Sequence, residues 1–444
     1  MTKHTTSARV VLISAIASGQ GKTTVTAALA RKLVKLGQRV RVFKTGPDFI
    51  DPMMLQRASG APVFSLDLWM VGLDASQAML AQAAAEVDVI LIEGVMGLYD
   101  GNPSSADLAR AFGVPVLAVV DASAMAQTVG AVVLGLRDFG PATMAGVIAN
   151  RVASVGHAKM VADAMKKIPA PAMSMLASLP RQEQALPERH LGLVLPDEVA
   201  QIEQILELQA DQLALDVDAW NALPITQFEQ ITSPEKIPEL LKGKTIAIAR
   251  DAAFAFIYPA NLVCLQALGA EIKFFSPLAN QAVPSDADAV YLPGGYPELH
   301  AETLSQAQQW HTSIRAAHTQ GLPILAECGG MMALTEKLIF QMSEHKNKTW
   351  NMAGMISGQV VMQQRLAALG AQAWLSKHGE LRGHTFHYSR FETSLTPTHH
   401  TIKHANQEAG EAIYRDGNLY ASYFHAYFPS NPVAVAHLFL GEPI

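Results

Sequence analysis

The first residues with the types and spacing of a chemical site form a glycine-rich loop near the N-terminus. They are, in order, Ser18, Gly19, Gln20, Gly21, Lys22, Thr23 and Thr24. In such a loop the glycines let backbone N–H groups point at phosphate oxygens, the lysine reaches the β- and γ-phosphates, and the threonine hydroxyl binds Mg²⁺. The alternative is a glycine-rich turn that only begins a helix. The Gly-Lys-Thr-Thr order at a strand–helix junction favours an ATP site.

Carboxylates follow two further predicted strands. Asp48 and Asp51 come after the second strand, and Glu93 ends a later apolar strand and is followed by Asp100. Ligands of open α/β sheets bind at the carboxyl ends of the strands, so we expect these acids to lie near the loop. Each acid could instead form a turn or cap a helix. Taken together they predict a metal site made by Thr23, Asp48 and Glu93.

A nucleophile is predicted in the second half of the chain. Cys328 follows an apolar strand, 322–327, and precedes two glycines and a helical stretch. A sharp strand–helix turn presents its side chain beside backbone N–H groups, and a helix N-terminus favours a thiolate over a thiol. Cys264 lies among helical apolar neighbours without a glycine, which predicts a buried structural residue.

A thiol nucleophile needs a base and donors for an oxyanion. The chain has 15 histidines, and two clusters of them stand in strand-like segments. Spacing alone leaves His384, His387 and His425 as alternative bases. Gly294 and Gly295 follow another predicted strand and could supply the oxyanion N–H groups, the alternative being a simple turn.

Two runs of alternating strands and helices must position these residues. Apolar strands separated by helical stretches predict an α/β fold with a doubly wound parallel sheet and a P-loop over residues 1–195. Residues 196–243 contain acidic, glutamine-rich helical stretches interrupted by Pro224, Pro234 and Pro238, which we interpret as a helical connector. A second α/β domain is predicted over residues 244–444.

Composition narrows the class of protein further. The 444 residues include 33 Lys and Arg against 39 Asp and Glu, a net charge of −6, and half of them are hydrophobic. The chain can therefore bury a core, and the acidic balance argues against a nucleic-acid partner. No apolar stretch reaches the length of a membrane span. Two cysteines form no disulfide framework, which predicts a reducing, cytoplasmic location.

The ordered motifs resemble the cobyrinate/hydrogenobyrinate a,c-diamide synthase family over nearly the whole chain. The matching segments are 18–24, 46–52, 93–101, 120–123, 150–152, 186–192, 250–254, 294–300, 327–330 and 383–389. By this resemblance the chain uses ATP, Mg²⁺ and glutamine to amidate the a- and c-acetate side chains of a corrin ring in cobalamin biosynthesis. The first domain would be the ATP-dependent synthetase, and the second a class I glutamine amidotransferase. Its partners would be these small molecules, and a homodimer is left open.

The resemblance also implies roles for single residues. Cys328 matches the nucleophile of the family and His425 the histidine that activates it. Amidotransferases of this class commonly carry a glutamate two residues after the histidine, whereas this chain has Tyr427. The group that orients His425 is therefore not defined by the sequence. Asp51 and Asp100 would position the substrate or the incoming ammonia.

Two departures from the family lie near the expected substrate cleft. Phe49 stands where a tyrosine is common, and Leu55 stands where many members have histidine. Arg189 and Arg250 are candidates, by resemblance, for binding the carboxylates of the substrate. Three other functions stay open: amidation of a metal sirohydrochlorin, a nucleotide-switched binding protein, and a plain glutaminase. The nucleophilic Cys328 argues against the switch, and the intact phosphate loop argues against the glutaminase.

Overall fold

The chain divides into two units, Met1–Pro234 and Glu235–Ile444. The computed structural model describes residues 5–182, 188–189, 192–229, 237–343 and 346–444. Much of the predicted motif at 186–192, including the side chain of Arg189, lies outside the described residues. Within them, no helix is both long and apolar enough to cross a membrane.

The first unit is built on a sheet with seven parallel strands. These are β1 (Thr5–Ala15), β2 (Val40–Thr45), β3 (Phe64–Leu66), β4 (Val89–Glu93), β5 (Val116–Asp121), β6 (Met144–Val152) and β7 (Met175–Pro180). The helices between them are α1 (Lys22–Lys35), α2 (Ile50–Ser59), α3 (Leu73–Glu86), α4 (Ser105–Phe112), α5 (Thr128–Phe139) and α6 (Val155–Met165). Residues 10–15 of β1 are fully buried, as expected for a parallel strand covered on both faces.

The strand order brings the predicted ATP-site loops together. The parallel strands run β7-β6-β5-β1-β4-β2-β3, so β1 lies between β5 and β4, and β2 lies beside β4. The chain therefore leaves β1, β2 and β4 at the same edge of the sheet. The glycine-rich loop, the Asp48 segment and Glu93 follow these three strands, at the place where open α/β sheets bind ligands.

The segment that we predicted as a helical connector contributes to the first sheet. It contains α7 (Ile202–Gln212), β10 (Ala214–Leu215), α8 (Val217–Asn221) and β11 (Ile225–Glu229), and it is preceded by two short strands that pair with each other, β8 (Glu188–Arg189) and β9 (Gly192–Leu193). Strand β10 pairs with β7 and β11 pairs with β1, both antiparallel. The apolar face of α7 joins the core that contains α1. Strand β10 has only two residues, too few for an alternating pattern to predict it, and β11 was not predicted from the sequence either.

The second unit contains a ten-stranded mixed sheet and a smaller sheet. Its strands are β12 (Thr245–Ala249), β13 (Glu271–Phe275), β14 (Ala289–Leu292), β15 (Ile324–Glu327), β16 (Thr335–Ser343), β17 (Lys346–Asn351), β18 (Ile356–Met362), β19 (Ala368–Ser376), β20 (Gly379–His387), β21 (Ser389–Glu392), β22 (His399–Lys403), β23 (Ala409–Asp416), β24 (Leu419–Ser422) and β25 (His425–Ala426). Its helices are α9 (Pro259–Ala267), α10 (Ala301–Gln306), α11 (Gln308–Thr319), α12 (Gly329–Leu334) and α13 (Pro432–Phe439).

The strand order of the second unit positions its predicted nucleophile and histidines. The strands of the large sheet are arranged in the order β13-β12-β14-β15-β24-β23-β22-β19-β20-β25. The first five strands in this order, from β13 to β24, are parallel to one another. The smaller sheet runs β17-β16-β18-β21. Strand β15 leads into Cys328, and β24 leads towards His425 from the adjacent position in the sheet.

Candidate active sites

The glycine-rich loop has a backbone that only glycine adopts easily. Gly19 and Gly21 have φ angles of 77° and 81°. A Cβ atom on Gly21 would lie 2.3 Å from Nδ2 of Asn150, and this amide donates to the carbonyl of Gln20 at 2.8 Å. Helix α1 begins directly afterwards, at Lys22. The loop therefore places backbone N–H groups and a helix N-terminus at one point, which suits an anion such as phosphate.

Lys22 extends back over this loop. Its Nζ donates to the carbonyl of Met96 at 2.6 Å and to that of Ala17 at 3.4 Å. The residue is only 8% exposed, and this burial lowers the pKa of its ammonium. An anionic phosphate would be a stronger partner for Lys22 than these neutral carbonyls.

A second buried lysine, Lys44 at the end of β2, lies among three carboxylates. Its Nζ is 2.7 Å from Oδ2 of Asp51, 2.7 Å from Oε1 of Glu93 and 3.7 Å from Oδ2 of Asp48. Thr23 donates its hydroxyl to the same Oε1 of Glu93 at 2.9 Å. Burial alone would lower the pKa of Lys44, but the carboxylates raise it above its usual value. Lys44 is therefore a buried ammonium that links three predicted site residues.

The carboxylates of this cluster differ in the direction in which their pKa values are shifted. Burial and the charge of Asp51 raise the pKa of Asp48 to about 7. Burial would also raise the pKa of Asp51, but the charge and the hydrogen bond of Lys44 lower it below its usual value. Burial raises the pKa of Glu93. Asp48 also accepts hydrogen bonds from the N–H groups of Ile50 and Asp51, which start α2.

The cluster fits a magnesium ion that arrives with a nucleotide. Oε2 of Glu93 is buried and has no hydrogen-bond partner in the described part of the chain, so it could act as a ligand beside Thr23. No three His, Cys, Asp or Glu side chains are arranged as a metal cage within those residues. Mg²⁺ at phosphate sites takes one or two protein ligands together with phosphate oxygens and water.

The substrate residues predicted for the first unit, Asp51, Asp100 and Phe49, lie around the carboxyl ends of its parallel strands. Oδ2 of Asp100 accepts from the N–H of Gly97 at 3.1 Å, and its charge acts on Lys22. Phe49 is half-buried at the start of α2, next to Asp48. Leu55, on α2, is fully buried in the hydrophobic core.

Two residues of this site were not singled out from the sequence. Lys44 carried one usable signal, a lysine near the end of β2 and two residues before Gly46-Pro47-Asp48. Asn150 carried only its place in the matching segment 150–152, because its contact with the loop joins residues 130 positions apart. Only the strand order, which sets β6 beside β5 and β5 beside β1, brings Asn150 to the loop.

The predicted nucleophile of the second unit lies on a strained turn. Cys328 connects β15 to α12 with a φ angle of 46°, a conformation that costs free energy in a residue other than glycine. Its N–H donates to the carbonyl of Ser422 at 2.7 Å. Burial, followed by the charge of Glu298, raises the pKa of the Cys328 thiol. The expected thiolate is therefore wrong for this state, since α12 has only six residues and its start is buried.

His425, Gly294 and Gly295 lie beside this cysteine. A Cβ atom on Gly294 would lie 2.3 Å from Cε1 of His425 and 3.4 Å from Cβ of Cys328. A Cβ atom on Gly329 would lie 2.9 Å from the backbone nitrogen of Gly295. Burial, with smaller effects from two other histidines, lowers the pKa of His425 well below its usual value. A neutral imidazole, a thiol and a glycine turn thus meet at one point.

The strand before the cysteine also fixes the strand that carries His425. Glu327 accepts from the N–H of Ala426 at 3.0 Å and from the hydroxyl of Tyr291 at 2.7 Å. Asn261 donates to the carbonyl of Ala426 at 2.8 Å. Burial raises the pKa of Glu327 to about 8. Both backbone polar groups of Ala426 are thus held by buried side chains, which restricts the position of the neighbouring His425.

His387 lies in the wall of a cavity. Its Nδ1 lies 2.8 Å from the carbonyl of Ser389, its Nε2 lies 3.2 Å from Oε1 of Glu411, and its ring stacks on Tyr423. The cavity has a volume of about 770 Å³ and is lined partly by charged side chains.

Arg250, a predicted substrate residue, stacks its guanidinium on Phe274 at 3.6 Å from the ring centroid.

Replacing Glu298 by glutamine is expected to make Cys328 more reactive. The variant removes a buried carboxylate that raises the pKa of the thiol, so alkylation by iodoacetamide should become severalfold faster at pH 8. Burial raises the pKa of Glu298 to about 7, so the difference from the parent protein should shrink at pH 6, where Glu298 is protonated. Mass spectrometry of the alkylated peptide measures the rate. Exposed Glu302 supplies the control, and equal rates in Glu298→Gln and Glu302→Gln would contradict the prediction.

Comparison with known proteins identifies the family. Residues 11–194 match the CobQ/CobB/MinD/ParA nucleotide binding domain, and residues 245–433 match the CobB/CobQ-like glutamine amidotransferase domain. The predicted fold class of both halves is thereby confirmed. The chain is 60% identical over 442 residues to the cobyrinate a,c-diamide synthase of Herminiimonas arsenicoxydans, which covers 100% of this chain and 99% of that protein.

Two further relatives carry a related name. The hydrogenobyrinate a,c-diamide synthases of Stutzerimonas stutzeri and Pseudomonas aeruginosa are 51% and 49% identical over 430 residues. Each alignment covers 96% of this chain, with 97% of the first relative and 96% of the second. The phosphate loop and the buried cysteine turn described above therefore lie in a chain that belongs to the cobyrinate/hydrogenobyrinate a,c-diamide synthase family.

Proposed function

We propose that the protein amidates the a- and c-acetate carboxylates of cobyrinate or hydrogenobyrinate, with ATP as the activating substrate and glutamine as the nitrogen donor. The observation that carries this proposal is the presence of two complete chemical centres in one chain of this family. One is the phosphate loop with the Lys44 carboxylate cluster, and the other is Cys328 with His425 and the glycine turn. A cytoplasmic location fits the two free cysteines.

The cysteine centre supports release of ammonia from glutamine. As Sγ of Cys328 attacks the side-chain amide carbon, its proton passes to His425, which then donates it to the departing nitrogen. The N–H of Gly295 is a donor for the oxyanion that forms during the attack. Water then hydrolyses the thioester to glutamate and restores the thiol. The resting pair is neutral, because burial raises the pKa of Cys328 and lowers that of His425.

The phosphate-loop centre supports activation of the acceptor. An oxygen of the substrate carboxylate attacks the γ-phosphorus of ATP, which gives an acyl phosphate and ADP. Ammonia then attacks the acyl carbon, loses a proton and displaces phosphate, and the cycle is repeated on the second acetate. Lys22 and the loop N–H groups would hold the transferred phosphoryl group. Asp51 and Asp100 would position the substrate carboxylate or the ammonia.

Magnesium fits the same centre. Thr23 and Glu93, with Asp48 nearby, would hold Mg²⁺, which when bound neutralises charge on the ATP phosphates. Thr23 and Glu93 share a hydrogen bond, and the buried free oxygen of Glu93 can accept a cation.

Mass spectrometry of tetrapyrrole products tests the proposed function. The purified protein is incubated with ATP, Mg²⁺ and glutamine, and cobyrinate, hydrogenobyrinate and a metal sirohydrochlorin are offered in parallel. We expect two successive acid-to-amide mass changes on cobyrinate or hydrogenobyrinate. Amidation of the sirohydrochlorin alone would contradict the assigned acceptor. ATP hydrolysis without any amidation would contradict the enzyme and support a nucleotide-switched protein.

A further inference from the structure

The second unit contains a cavity that the chemistry of Cys328 and His425 does not use. Strands β24 and β25 are joined only by Tyr423 and Phe424, yet four strands separate them in the order of the sheet. This part of the sheet therefore curves round on itself. The cavity has a volume of about 770 Å³ and is lined by residues of β19–β23, by the segment 363–367 and by Tyr423. A cavity of this size, with polar groups in its wall, is typical of a small-molecule site.

Hydrogen bonds connect the wall of this cavity to the nucleophile. The N–H of Cys328 donates to the carbonyl of Ser422 at 2.7 Å, and Tyr423, the next residue, lies in the wall. The N–H of Met332 donates to the carbonyl of Cys328 at 2.9 Å. The sulfur of Met332 lies 3.8 Å from Oγ of Ser389, which is also in the wall. The cavity therefore borders the turn that carries Cys328.

Glu411 places a carboxylate between the cavity and the nucleophile. Its side chain lines the cavity and is 14% exposed. Thr385 donates its hydroxyl to Oε1 at 2.9 Å, and Nε2 of His387 lies 3.2 Å from the same atom, which leaves Oε2 for a ligand. Burial and the charge of Glu298 raise the pKa of the Cys328 thiol, and the charge of Glu411 adds to this effect. The carboxylate therefore lies near the nucleophile as well as in the wall of the cavity.

Basic side chains line the same cavity, namely those of Arg365, Arg390 and Lys403. Arg390 is paired with Glu392, and Nζ of Lys403 lies 3.9 Å from Oε2 of Glu408. Arg365 is exposed and forms no ion pair with any residue that the structure describes. Its guanidinium is therefore the cation in this wall that is available to an anionic group of a ligand. The cavity thus offers one carboxylate and one unpaired guanidinium.

Glutamine has charges that match this cavity. Its α-carbon carries an ammonium and a carboxylate, and its side-chain amide extends from the same carbon. A carboxylate such as that of Glu411 is a strong partner for the ammonium, and the planar fork of donors on Arg365 fits a carboxylate. When both charges are bound in the cavity, the amide is the part of glutamine that extends towards Cys328.

We propose that Glu411 binds the α-ammonium of glutamine and Arg365 its α-carboxylate, so that the cavity selects the free amino acid and presents its amide to Cys328. A glutamine residue within a peptide lacks both charges and would not be held. This inference rests on the proposed hydrolysis of glutamine by the second unit, and it adds the residues that recognise the nitrogen donor.

Two analogues, each of which lacks one charge of glutamine, test this inference in the full-length protein. Glutaramate lacks the α-ammonium, and 4-aminobutanamide lacks the α-carboxylate. In Glu411→Gln we expect the ratio of kcat/KM for glutamine to kcat/KM for glutaramate to fall about 30-fold, mainly through a higher KM for glutamine, because a charge-assisted hydrogen bond is lost. Release of ammonia measures both values. The ratio cancels any change in the reactivity of Cys328, since the same thiol attacks both amides.

The guanidinium is tested in the same way. In Arg365→Met we expect the ratio of kcat/KM for glutamine to kcat/KM for 4-aminobutanamide to fall about tenfold. This effect is smaller because Arg365 is more exposed to solvent than Glu411. If an analogue is hydrolysed too slowly to be measured, its inhibition constant against glutamine replaces kcat/KM in the ratio.

Two controls separate recognition of glutamine from a structural defect. Asp416→Asn replaces an exposed carboxylate on the same strand as Glu411, β23, and is expected to keep both ratios. Amidation supported by ammonium chloride should be unchanged in all variants, because it does not use the cavity. Retention of the parent ratio in Glu411→Gln or in Arg365→Met would overturn the inference, whether both rates stay the same or both fall equally. Absence of glutamine hydrolysis in the parent protein would instead overturn the proposed function.

Discussion

Replacement of Cys328 by serine is expected to abolish amidation with glutamine while amidation with free ammonia continues. The loss should reach at least about 1,000-fold in kcat/KM for glutamine, because the nucleophile of the first step is removed. Serine is close in size to cysteine and can adopt the same strained turn, for which glycine neighbours already provide the space. The measurement is the rate of product formation with glutamine and, separately, with ammonium chloride at a pH of about 8.5.

Cys264 provides the matched control for this prediction. It is buried on α9 in a hydrophobic core, and burial raises the pKa of its thiol to about 12. Cys264→Ser is expected to keep both activities, with some loss of thermal stability because a hydroxyl replaces an apolar contact. If Cys328→Ser lost both activities and kept the parent unfolding temperature, the proposed division of the chemistry between two centres would be wrong.

The sequence predicted the features of this protein that are local in the chain. The phosphate loop, the turn of Cys328 and the strand that ends at Glu93 are each encoded in fewer than ten neighbouring residues. The glycines that adopt positive φ angles, and the apolar runs between them, can be recognised directly from the residue types in the sequence. Strands β12 and β14 are short apolar runs between turn residues, a pattern that is visible in the local sequence.

The features that the sequence did not reveal depend on contacts between distant residues. His384 and His387 are both histidines on β20, and only the pairing register shows that His384 is opposite His425. Strand β11 pairs with β1 across more than 200 residues, so its place in the first sheet has no local signal. The thiol state of Cys328 depends on burial under residues from several elements, and the helix rule alone gave the wrong direction.

Lys44 is the clearest example of a residue whose function depends on partners distant in the sequence. Its replacement by methionine is expected to lower both the stability and the activity of the protein strongly. In the parent protein one buried ammonium contacts Asp51 and Glu93 at 2.7 Å each, with Asp48 at 3.7 Å. Lys44→Met leaves these acids buried without their counter-charge. Breaking a buried ion pair from one side costs about 3–5 kcal/mol of the free energy of unfolding. We expect a loss of this size near neutral pH, together with at least a 100-fold loss of ammonia-dependent amidation.

The loss of stability in Lys44→Met is expected to depend on pH. In the parent, Lys44 holds the pKa of Asp51 below its usual value, so this carboxylate stays ionised between pH 5 and pH 8. The pH dependence there comes from Asp48, whose pKa is raised to about 7, and from Glu93, whose pKa is also raised. In Lys44→Met, burial and mutual repulsion would raise the pKa values of the three acids above those of the unfolded chain. The folded variant would then bind more protons than the unfolded one, and its stability would fall as the pH rises. The stability difference between the parent and the variant should therefore widen from pH 5 to pH 8.

Lys35 shows why burial, rather than the number of contacts, determines this result. Its Nζ also contacts two carboxylates, those of Glu207 and Asp211, at 2.8 and 2.6 Å. These groups are exposed to solvent, which screens their charges. The free energy of unfolding of Lys35→Met should therefore equal that of the parent within experimental error at both pH 5 and pH 8. The measurement is the free energy of unfolding by a chemical denaturant, for the parent and both variants, at pH 5 and pH 8. Equal stability of Lys44→Met and Lys35→Met at pH 8 would mean that the carboxylates near the phosphate loop do not require Lys44 as their counter-charge.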